Sequence, residues 1–484
     1  MQFVSDLHLH SKYSRAVSQN MVLPIMAEWG RKKGIDILTT GDWTHPLWLR
    51  EIRSQLEEKG EGLFNLKSHP DQIGTNLKST SQISNLRKEP LFLLSTEISS
   101  IYSQNGKLRR IHNLIFAPSF ETAEKINKEL TGRGCNLHSD GRPIIGLSSK
   151  DLLETILSLD DRAMLIPCHV WTPHFGIYGS ASGFDSLEEA FGDLSRYIYG
   201  IETGLSSDPE MNWQIEELKN RSILSFSDAH SPAKMGREAT VFELKEPSYE
   251  NIRKAIMRGG ITGITGTTSI TRKNSPRGTR DTLATRDTSR IVYTIEFYPE
   301  EGKYHFSGHR NCKVVFGPEE IQERGSLCPV CKRQLTEGVL YRVSQLGDKS
   351  LAGNSDNKMN SNNIKWYTDK AKNHPPYVKL VPLLEIVAEG LESTVASQKV
   401  RAMFDGLCEE FSSEIEVLLK TPIDLIENRV GKKIAEGIEK VREGTIVIDP
   451  GYDGEYGKVR IWQKEESSSG VLQKSLESQL GLEF

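Results

Sequence analysis

Histidine and carboxylate side chains recur through the first half of the chain in a pattern that suits metal binding. A His-x-His pair stands near residue 10 and an Asp-x-His pair near residue 230, with single acids and histidines between them. Imidazole and carboxylate ligands together favour Zn²⁺, Mn²⁺ or Fe²⁺, and so many candidates imply more than one ion. We predict two or three divalent ions (Zn, Mn, Mg or Fe) at His8, His10, Asp42, His45, Glu97, His112, His169, Asp228 and His230.

Phosphoester cleavage is the chemistry that this ligand set favours. In a site with several metals, the ions lower the pKa of bound water toward neutrality and stabilise both the attacking and the leaving oxygen. We therefore assign the attacking hydroxide to the metals and place Asp228, His230 and His169 at the catalytic centre. Asp228 is then predicted to be a metal ligand rather than a free base.

Nearly every candidate ligand directly follows a short apolar run or lies at its start. Continuously apolar runs suit strands that are buried on both faces, and the amphipathic stretches between them suit helical crossovers. In α/β barrels the carboxyl ends of the strands face one mouth, where active sites lie. We therefore predict an α/β, barrel-like domain with seven strands within 2–5, 35–40, 91–96, 112–116, 163–168, 197–201 and 222–226.

A structural role is the alternative for each of these histidines. A single histidine at a strand end is usually hydrogen-bonded within the fold, but paired histidines at both ends of one domain, with acids between them, rarely arise by chance. We therefore favour the metal site. His69, His138 and His374 lack such placement and are predicted to be surface residues.

The pattern of the candidate ligands resembles the polymerase and histidinol phosphatase (PHP) superfamily. The resemblance implies a distorted seven-stranded (β/α) barrel whose two or three metals cleave phosphoesters. Many members carry a further His or Asp shortly after the first histidine pair. This chain has Ser14 and Arg15 there, so the number of ions stays open between two and three.

A second ligand set lies further along the chain. His309-x2-Cys312 and Cys328-x2-Cys331 have the spacing of a zinc ribbon in which one histidine replaces a cysteine. We predict one structural zinc ion, with His305 as the alternative fourth ligand. A closed four-ligand site of this kind contributes folding energy rather than chemistry.

The C-terminal part of the chain has a helical pattern. Residues 419–443 read as a helix, a turn at Val430-Gly431 and a second helix that begins with Lys432 and Lys433. This pattern resembles a helix-hairpin-helix element, whose helix N-terminus binds a phosphate without reading base sequence. The alternative is an ordinary helix pair that packs on its neighbours.

Polar stretches divide the chain into predicted domains. Residues 54–90 and 120–150 read as insertions in the barrel, and the basic residues within 253–290 suit either a phosphate backbone or a solvated loop. The predicted boundaries are 1–290 for the metal-binding barrel, 291–346 for the zinc module, 347–377 for a linker, 378–463 for an all-α domain and 464–484 for a tail.

The order of barrel, zinc ribbon and helical tail resembles the endonuclease Q family. Four strings carry the likeness: GDWTHP (41–46), IETGLSSDPEMNW (201–213), SFSDAHSPAKMGREA (225–239) and FYPEEGKYHFSGHRNC (297–312). The resemblance implies an endonuclease that nicks single- or double-stranded DNA 5′ to deaminated bases (uracil, hypoxanthine, xanthine) and to abasic sites. Such an enzyme must extrude the base from the stack before testing it.

Substrate contacts are predicted beside the metals. The loop at 204–208 follows a strand, so Ser206 and Ser207 are candidates to bind a flipped base, on which Trp171 or Trp213 would stack. Lys432 and Lys433 are candidates to bind the DNA backbone. A sliding clamp is a further candidate partner, with the terminal SLESQLGLEF as its docking element.

Composition narrows the function classes. The chain has 37% hydrophobic residues and a net charge of -4, and no apolar run approaches the roughly 20 residues that span a bilayer. Without a signal-peptide pattern, we expect a cytoplasmic, nucleoid-associated protein with no membrane partner. A small-molecule PHP phosphatase, a degenerate binding protein and a helicase-associated protein are the alternatives; the chain lacks a phosphate-binding loop of the G-x-x-x-x-G-K-[ST] type.

Overall fold

The fold was analysed in a computed structural model. It describes residues 1–67, 88–259, 288–351, 353 and 355–463 of the chain. His69, most of the basic stretch at 253–290 and the tail with its candidate clamp-binding segment lie outside the described residues. The strands are β1 (Gln2–Asp6), β2 (Ile37–Thr39), β3 (Leu56–Gly60), β4 (Leu63–Leu66), β5 (Leu91–Gln104), β6 (Lys107–Ala117), β7 (Ile144–Ile145), β8 (Met164–Pro167), β9 (Gly200–Glu202), β10 (Ser222–Leu224), β11 (Ala239–Glu243), β12 (Arg290–Glu296), β13 (Ser307–His309), β14 (Val314–Phe316), β15 (Ser355–Met359), β16 (Lys365–Asp369), β17 (Tyr377–Lys379), β18 (Val447–Asp449) and β19 (Lys458–Arg460).

Helices cover the sheet and form the C-terminal region. Their N-termini commonly carry Ser or Asp caps, as at Ser119 and Ser148, whose side chains accept a backbone N–H. The helices are α1 (Leu23–Lys33), α2 (Pro46–Gln55), α3 (Phe120–Gly132), α4 (Ser149–Leu159), α5 (Leu187–Phe191), α6 (Pro209–Asn212), α7 (Tyr249–Met257), α8 (Pro318–Arg324), α9 (Val339–Leu346), α10 (Leu383–Gly390), α11 (Gln398–Glu410), α12 (Glu414–Leu419), α13 (Ile423–Val430) and α14 (Lys432–Glu443).

A large central sheet organises a mixed α/β fold. Its order is β15-β16-β17-β12-β11-β1-β2-β5-β4-β3, and β6, β7 and β8 attach to it through β5 and β6. The pairs β1–β2 and β2–β5 are parallel, so the carboxyl ends of these strands lie at one edge. Each of the seven predicted strands is present as β1, β2, β5, β6, β8, β9 or β10.

One predicted helical crossover is absent from the described structure. Strands β5 and β6 form a long antiparallel hairpin joined by Asn105 and Gly106, which have φ values of 53° and 74°. Two positive φ values match the twist of a hairpin, and Asn-Gly is the dipeptide that adopts them most readily. The hairpin therefore places Glu97 of β5 and His112 of β6 on neighbouring strands.

Hydrogen bonds donated by backbone N–H groups beyond the strand ends connect β8 to β9, β9 to β10 and β10 to β11. The Val170 N–H donates to Glu202 O after β8, and the Thr203 N–H donates to Leu224 O at the ends of β9 and β10. The Ser225 N–H then donates to the Thr240 hydroxyl in β11. The interior between sheet and helices is apolar, and it includes the fully buried Trp43, Trp48 and Phe92.

The predicted linker at 347–377 differs from expectation. It contains β15 and β16, which pair with each other and with β17 at one end of the main sheet. The proposed boundary at 290 likewise falls at the start of β12, a strand that pairs with β11 and β17. The insertion at 120–150 contains α3, whose buried face includes Ala123, Ile126 and Leu130. The polar composition of β15 and β16 concealed these strands, because β15 buries no residue and β16 buries only Asp369.

The C-terminal helices α10–α14 share a core with the main sheet, including Val4 and Ile295, and lie against α1. Trp29 stacks on Phe404 with ring centroids 5.9 Å apart, and Lys33 Nζ lies 2.7 Å from a Glu414 carboxylate oxygen. Strands β13 and β14 with α8 form a small module around Val314, Phe316 and Ile321. Among the described residues, no helix is both long and apolar enough to cross a membrane.

Candidate metal centre and cysteine cluster

Two histidines after β1 enter the centre of the fold. His8 and His10 are fully buried, and the intervening Leu9 bridges Ala229 in the loop after β10. Alternate residues of an extended segment face the same side, so the two imidazoles share one space. The bridge to Ala229 brings the Asp228-x-His230 pair to the same place, which joins the two predicted histidine pairs.

Four ligand atoms converge at the first of two positions. His8 Nε2 lies 3.7 Å from both Glu97 Oε2 and Asp228 Oδ1. His10 Nε2 lies 3.2 Å from Glu97 Oε2 and 3.0 Å from Asp228 Oδ1. Ligands about 2.1 Å from a tetrahedral ion are separated by about 3.4 Å, so each of these histidine–carboxylate spacings is compatible with a shared cation.

Buried atoms without hydrogen bonds support this fit. Within the described structure His8 Nε2, His10 Nε2 and Asp228 Oδ1 are buried and make no hydrogen bond. Buried polar atoms are normally paired, and leaving one unpaired costs about 1–3 kcal/mol. Three such atoms facing one another are explained by a cation that binds them.

Glu97 also reaches a second position. Its Oε1 lies 2.5 Å from His112 Nδ1 and 3.1 Å from His169 Nε2, and these two nitrogens are 3.2 Å apart. The carboxylate thus directs one oxygen to each ligand group. A carboxylate in this position can bridge two ions.

A third ligand group contains His10, Asp228 and His230. His230 Nδ1 lies 2.8 Å from the backbone carbonyl of Asp228, a contact in which Nδ1 donates. This hydrogen bond leaves Nε2 as the free ligand nitrogen. The group shares two residues with the first position, so the arrangement fits two ions and leaves a third open.

Asp42 and His45 lie apart from these groups. Asp42 Oδ1 is 3.0 Å from His10 Nδ1, and its Oδ2 accepts from the Ser11 amide and from the hydroxyls of Ser11 and Ser14. It therefore orients the His10 ring from behind. His45 stacks on Tyr13 at a centroid distance of 4.4 Å and joins no ligand group among the described residues.

Glu202 holds two of the ligands, although the sequence did not place it among them. Its Oε1 lies 2.8 Å from His8 Nδ1, and its Oε2 accepts the His169 N–H at 2.8 Å. It is the last residue of β9, so its placement at a strand end was a usable signal in the sequence. Arg142, which donates to Glu97 Oε2 at 3.2 Å, comes from a loop and gave no such signal.

Three of the candidate ligands have strained backbones. Asp42, His169 and Asp228 have φ values of 49°, 29° and 47°. Residues with side chains seldom adopt this region, and strain of this kind concentrates at functional sites. All three conformations occur in the loops that follow β2, β8 and β10.

Burial and charge set the protonation of the centre. Burial raises the pKa of Glu97, but contacts with His112 and Arg142 outweigh it and hold the pKa well below its usual range. Burial opposes ionisation of Asp228 as well, yet the charges of His8 and His230 keep its pKa well below normal. Both carboxylates are therefore ionised at neutral pH, the form that binds cations.

The predicted substrate residues are not all accessible. Trp171 and Trp213 are buried, at 1% and 7% exposure, and the Trp171 indole N–H donates to Asn212. Ser207 is buried and donates to Thr203 O, whereas Ser206 is half-buried and lies 3.5 Å from the Thr172 hydroxyl. The predicted stacking role of either tryptophan is therefore incompatible with its burial.

The cysteine cluster brings the second ligand set together. His309, Cys312, Cys328 and Cys331 offer ligand atoms within 4.8 Å of one another. His305 is not in this group, so the geometry favours His309 as the fourth ligand. Burial raises the pKa of Cys328, but the backbone N–H groups of Cys331 and Val330 outweigh it and bring the pKa to about 6. A thiolate is the form that binds metal.

The remaining predicted surface histidines differ. His138 is exposed, as expected. The prediction for His374 is wrong: it is 5% exposed, its Nε2 lies 3.1 Å from Leu218 O, and its ring stacks on Trp213. A hydrogen-bonded core histidine of this kind leaves no spacing signal in the sequence.

The helix pair α13–α14 turns at Gly431, with φ 86°, and leaves Lys432 and Lys433 exposed.

Parts of the chain, and nearly the whole chain, are similar to known proteins. Residues 382–445 match the family described as the MJ0043 C-terminal domain. The uncharacterized protein MJ0043 of Methanocaldococcus jannaschii is 28% identical over 309 residues, 61% of this chain and 32% of that protein. The chain thus spans about a third of that relative. The uncharacterized protein YqxK of Bacillus subtilis is 26% identical over 94% of this chain and 98% of its own length.

Two solved structures match almost the whole chain. One is the lesion-specific endonuclease PfuEndoQ from Pyrococcus furiosus, with a TM-score of 0.73, 28% identity, and 96% of this chain and 98% of that chain covered. The other is endonuclease Q in complex with a 27-mer duplex that carries an abasic lesion at the active site. Its TM-score is 0.72 at 29% identity, with 96% and 97% of the two chains covered.

Proposed function

We propose, because the chain belongs to the endonuclease Q family, that it is a DNA-repair endonuclease dependent on divalent metal ions. Its cut would fall 5′ to deaminated bases (uracil, hypoxanthine, xanthine) and to abasic sites. The observation that carries the proposal is the convergence of buried imidazole and carboxylate ligand atoms on two positions that share Glu97, with three unpaired ligand atoms at the first of them. A site built for cations within this fold suits phosphodiester hydrolysis.

The ligand roles follow from the two positions. His8, His10 and Glu97, together with Asp228 beside the two histidines, would hold one ion, and Glu97, His112 and His169 would hold a second. When bound, such ions supply acidified water and a positive charge that stabilises the oxygens of the phosphodiester. Asp42 and Glu202 would keep the rings of His10 and His8 turned toward the ions.

The other parts of the chain would hold DNA and stabilise the fold. We propose one structural zinc at the cysteine cluster and a distorted seven-stranded PHP-type barrel around the metal centre. The exposed Lys432 and Lys433 at the start of α14 suit contact with a phosphate backbone, where they would add affinity without sequence preference. Ser206 would border the extruded nucleotide.

A small-molecule PHP phosphatase is the competing function. Such a substrate requires neither a cysteine module nor a helical region, yet the likeness to endonuclease Q structures extends over 96% of this chain. This coverage favours the nuclease.

The test is a nicking assay on end-labelled duplexes. Each duplex carries a single uracil, hypoxanthine or abasic site, and the protein is supplied with Mn²⁺ or Mg²⁺. We expect one nick 5′ to each lesion and none in the undamaged duplex. Absence of all cleavage, together with hydrolysis of a small phosphate monoester, would favour the phosphatase.

A further inference from the structure

A half-buried aromatic side chain lies against the metal centre and is not one of its ligands. Phe175 belongs to the loop after β8, and its ring centroid is 4.3 Å from that of His112. Its φ is 74°, a genuine outlier for a bulky side chain. Ordinary core packing does not require such a conformation, so the position of this ring calls for another reason.

The loop holds Phe175 rigidly in this conformation. The His112 N–H donates to Phe175 O at 2.9 Å, and the Phe175 N–H donates to the Ser182 hydroxyl at 3.4 Å. A Cβ at Gly176 or Gly183 would lie only 2.6 Å or 2.4 Å from backbone atoms, so the loop closes tightly on itself. A ring fixed before the substrate arrives loses little entropy on binding.

The same loop borders the predicted substrate side of the centre. Thr172, three residues before Phe175, lies 3.5 Å from Ser206 through their hydroxyls. The aromatic ring of Phe175 therefore belongs to a loop that contacts both a metal ligand, His112, and the 204–208 loop. Trp171 and Trp213, the aromatic residues predicted for stacking, are buried in the core instead.

We propose that Phe175 is the stacking surface for the base of a nucleotide extruded into the metal centre, an inference that rests on the proposed function. The phenyl ring has no charge and no hydrogen-bonding group, so it contributes nothing specific to a phosphate or a sugar hydroxyl. It offers a flat π-face, and every base has one. A surface of this kind accepts uracil, hypoxanthine and xanthine alike.

A pair of lesions tests the proposal within one assay. Uracil provides a base to stack, whereas a tetrahydrofuran abasic analogue in the same duplex provides none. Loss of one base–aromatic stack corresponds to about 5- to 150-fold in affinity. We expect Phe175→Ala to lower kcat/KM by that factor on the uracil duplex and to leave the abasic duplex essentially unchanged.

Two further variants separate stacking from packing on His112. Phe175→Tyr keeps the π-face and should retain activity on uracil. Phe175→Leu keeps an apolar side chain beside His112 without a π-face, so it should show the uracil-specific loss even if the alanine variant folds poorly. Metal content, measured by elemental analysis, should stay at the wild-type value in all three variants.

The outcomes are distinguishable. Equal losses on both lesions, or no loss on either, would overturn the stacking role while leaving the nuclease intact. Wild-type protein that cuts neither duplex would overturn the proposed function and this inference with it.

Discussion

The metal centre and the cysteine cluster bring metal ligands together in opposite ways. The centre draws its ligands from residues between His8 and His230, and it lies within a large apolar core. The cluster takes its four ligands from His309 to Cys331 and has a core of only five buried residues, with Cys331 exposed. The ligands of the metal centre are positioned by the surrounding fold, whereas the cysteine cluster has few buried residues around it.

The difference implies different consequences of metal binding. Strain and hydrogen bonds already position the ligands of the centre, so its ions contribute mainly to chemistry. The cluster has few apolar contacts, so a bound zinc would contribute directly to its folding free energy. Removing a ligand of the metal centre should therefore abolish catalytic activity. Removing a ligand of the cysteine cluster should instead unfold the cluster.

The largest expected effect is on cleavage at the centre. Asp228→Asn removes the negative charge of an atom that faces both histidines, and we expect nicking to fall about a thousandfold or more. The variant should stay folded, because the large apolar core around the centre is unchanged. Near-normal turnover of this variant would refute the ligand assignment.

The matching change in the cluster should unfold it. Cys328→Ser removes a buried thiolate ligand, so we expect loss of one zinc per chain and rapid proteolysis between about residues 307 and 336. Limited proteolysis with mass spectrometry measures this. The metals of the centre should remain bound. A protease-resistant, zinc-free variant would show that the small core is sufficient.

A smaller effect should follow from the residue that orients two ligands. Glu202→Gln keeps the shape of the side chain but weakens its contacts with His8 Nδ1 and the His169 amide. Residues behind metal ligands typically contribute 10- to 100-fold in metal affinity or activity, so we expect a loss of about that size. Excess Mn²⁺ should restore part of the rate; a loss that no metal concentration relieves would argue against an orienting role.

The smallest effect is on stability rather than cleavage. Glu296 is a buried acid held by hydroxyls: its Oε2 accepts from Ser225 at 2.7 Å and from Thr203 at 3.3 Å. Burial, opposed by these hydrogen bonds, raises the pKa of Glu296 from 4.5 to about 8. The folded state thus binds this proton more tightly, so its contribution to stability is full below pH 4.5 and is lost as the pH rises through 8.

Glu296→Gln removes this titration. The free energy of unfolding, from urea denaturation at several pH values, should fall less steeply between pH 5 and 8 in the variant than in the wild type. The expected difference is up to a few kcal/mol, since one pKa unit corresponds to about 1.4 kcal/mol. Parallel curves for the two proteins would contradict the raised pKa.

Much of this arrangement follows from where residues stand relative to strands. His8, His10, His169, Asp228 and His230 meet because each follows a strand that ends at the same interior, whereas Glu97 and His112 lie within the paired strands β5 and β6. Position along the chain does not reveal which way a carboxylate turns. Asp42 also follows a strand, yet the Ser11 and Ser14 hydroxyls hold it behind His10.

Other features depended on contacts between distant segments. Strands β15 and β16 have a polar sequence; they pair with each other, and β16 pairs with β17. Arg142 reaches Glu97 from a loop, and Trp171 is buried through its packing on Tyr178. The β5–β6 hairpin was different, because its Asn105–Gly106 turn was a local signal in the sequence.

The most direct test of the central claim is metal-dependent nicking at a mapped position. Protein stripped with a chelator is mixed with a 5′-end-labelled duplex containing one uracil, before and after Mn²⁺ is restored. We expect no product without metal and, with it, a single labelled fragment ending immediately 5′ to the uracil. Equal cleavage in the absence of metal, or cleavage unrelated to the uracil, would contradict the account.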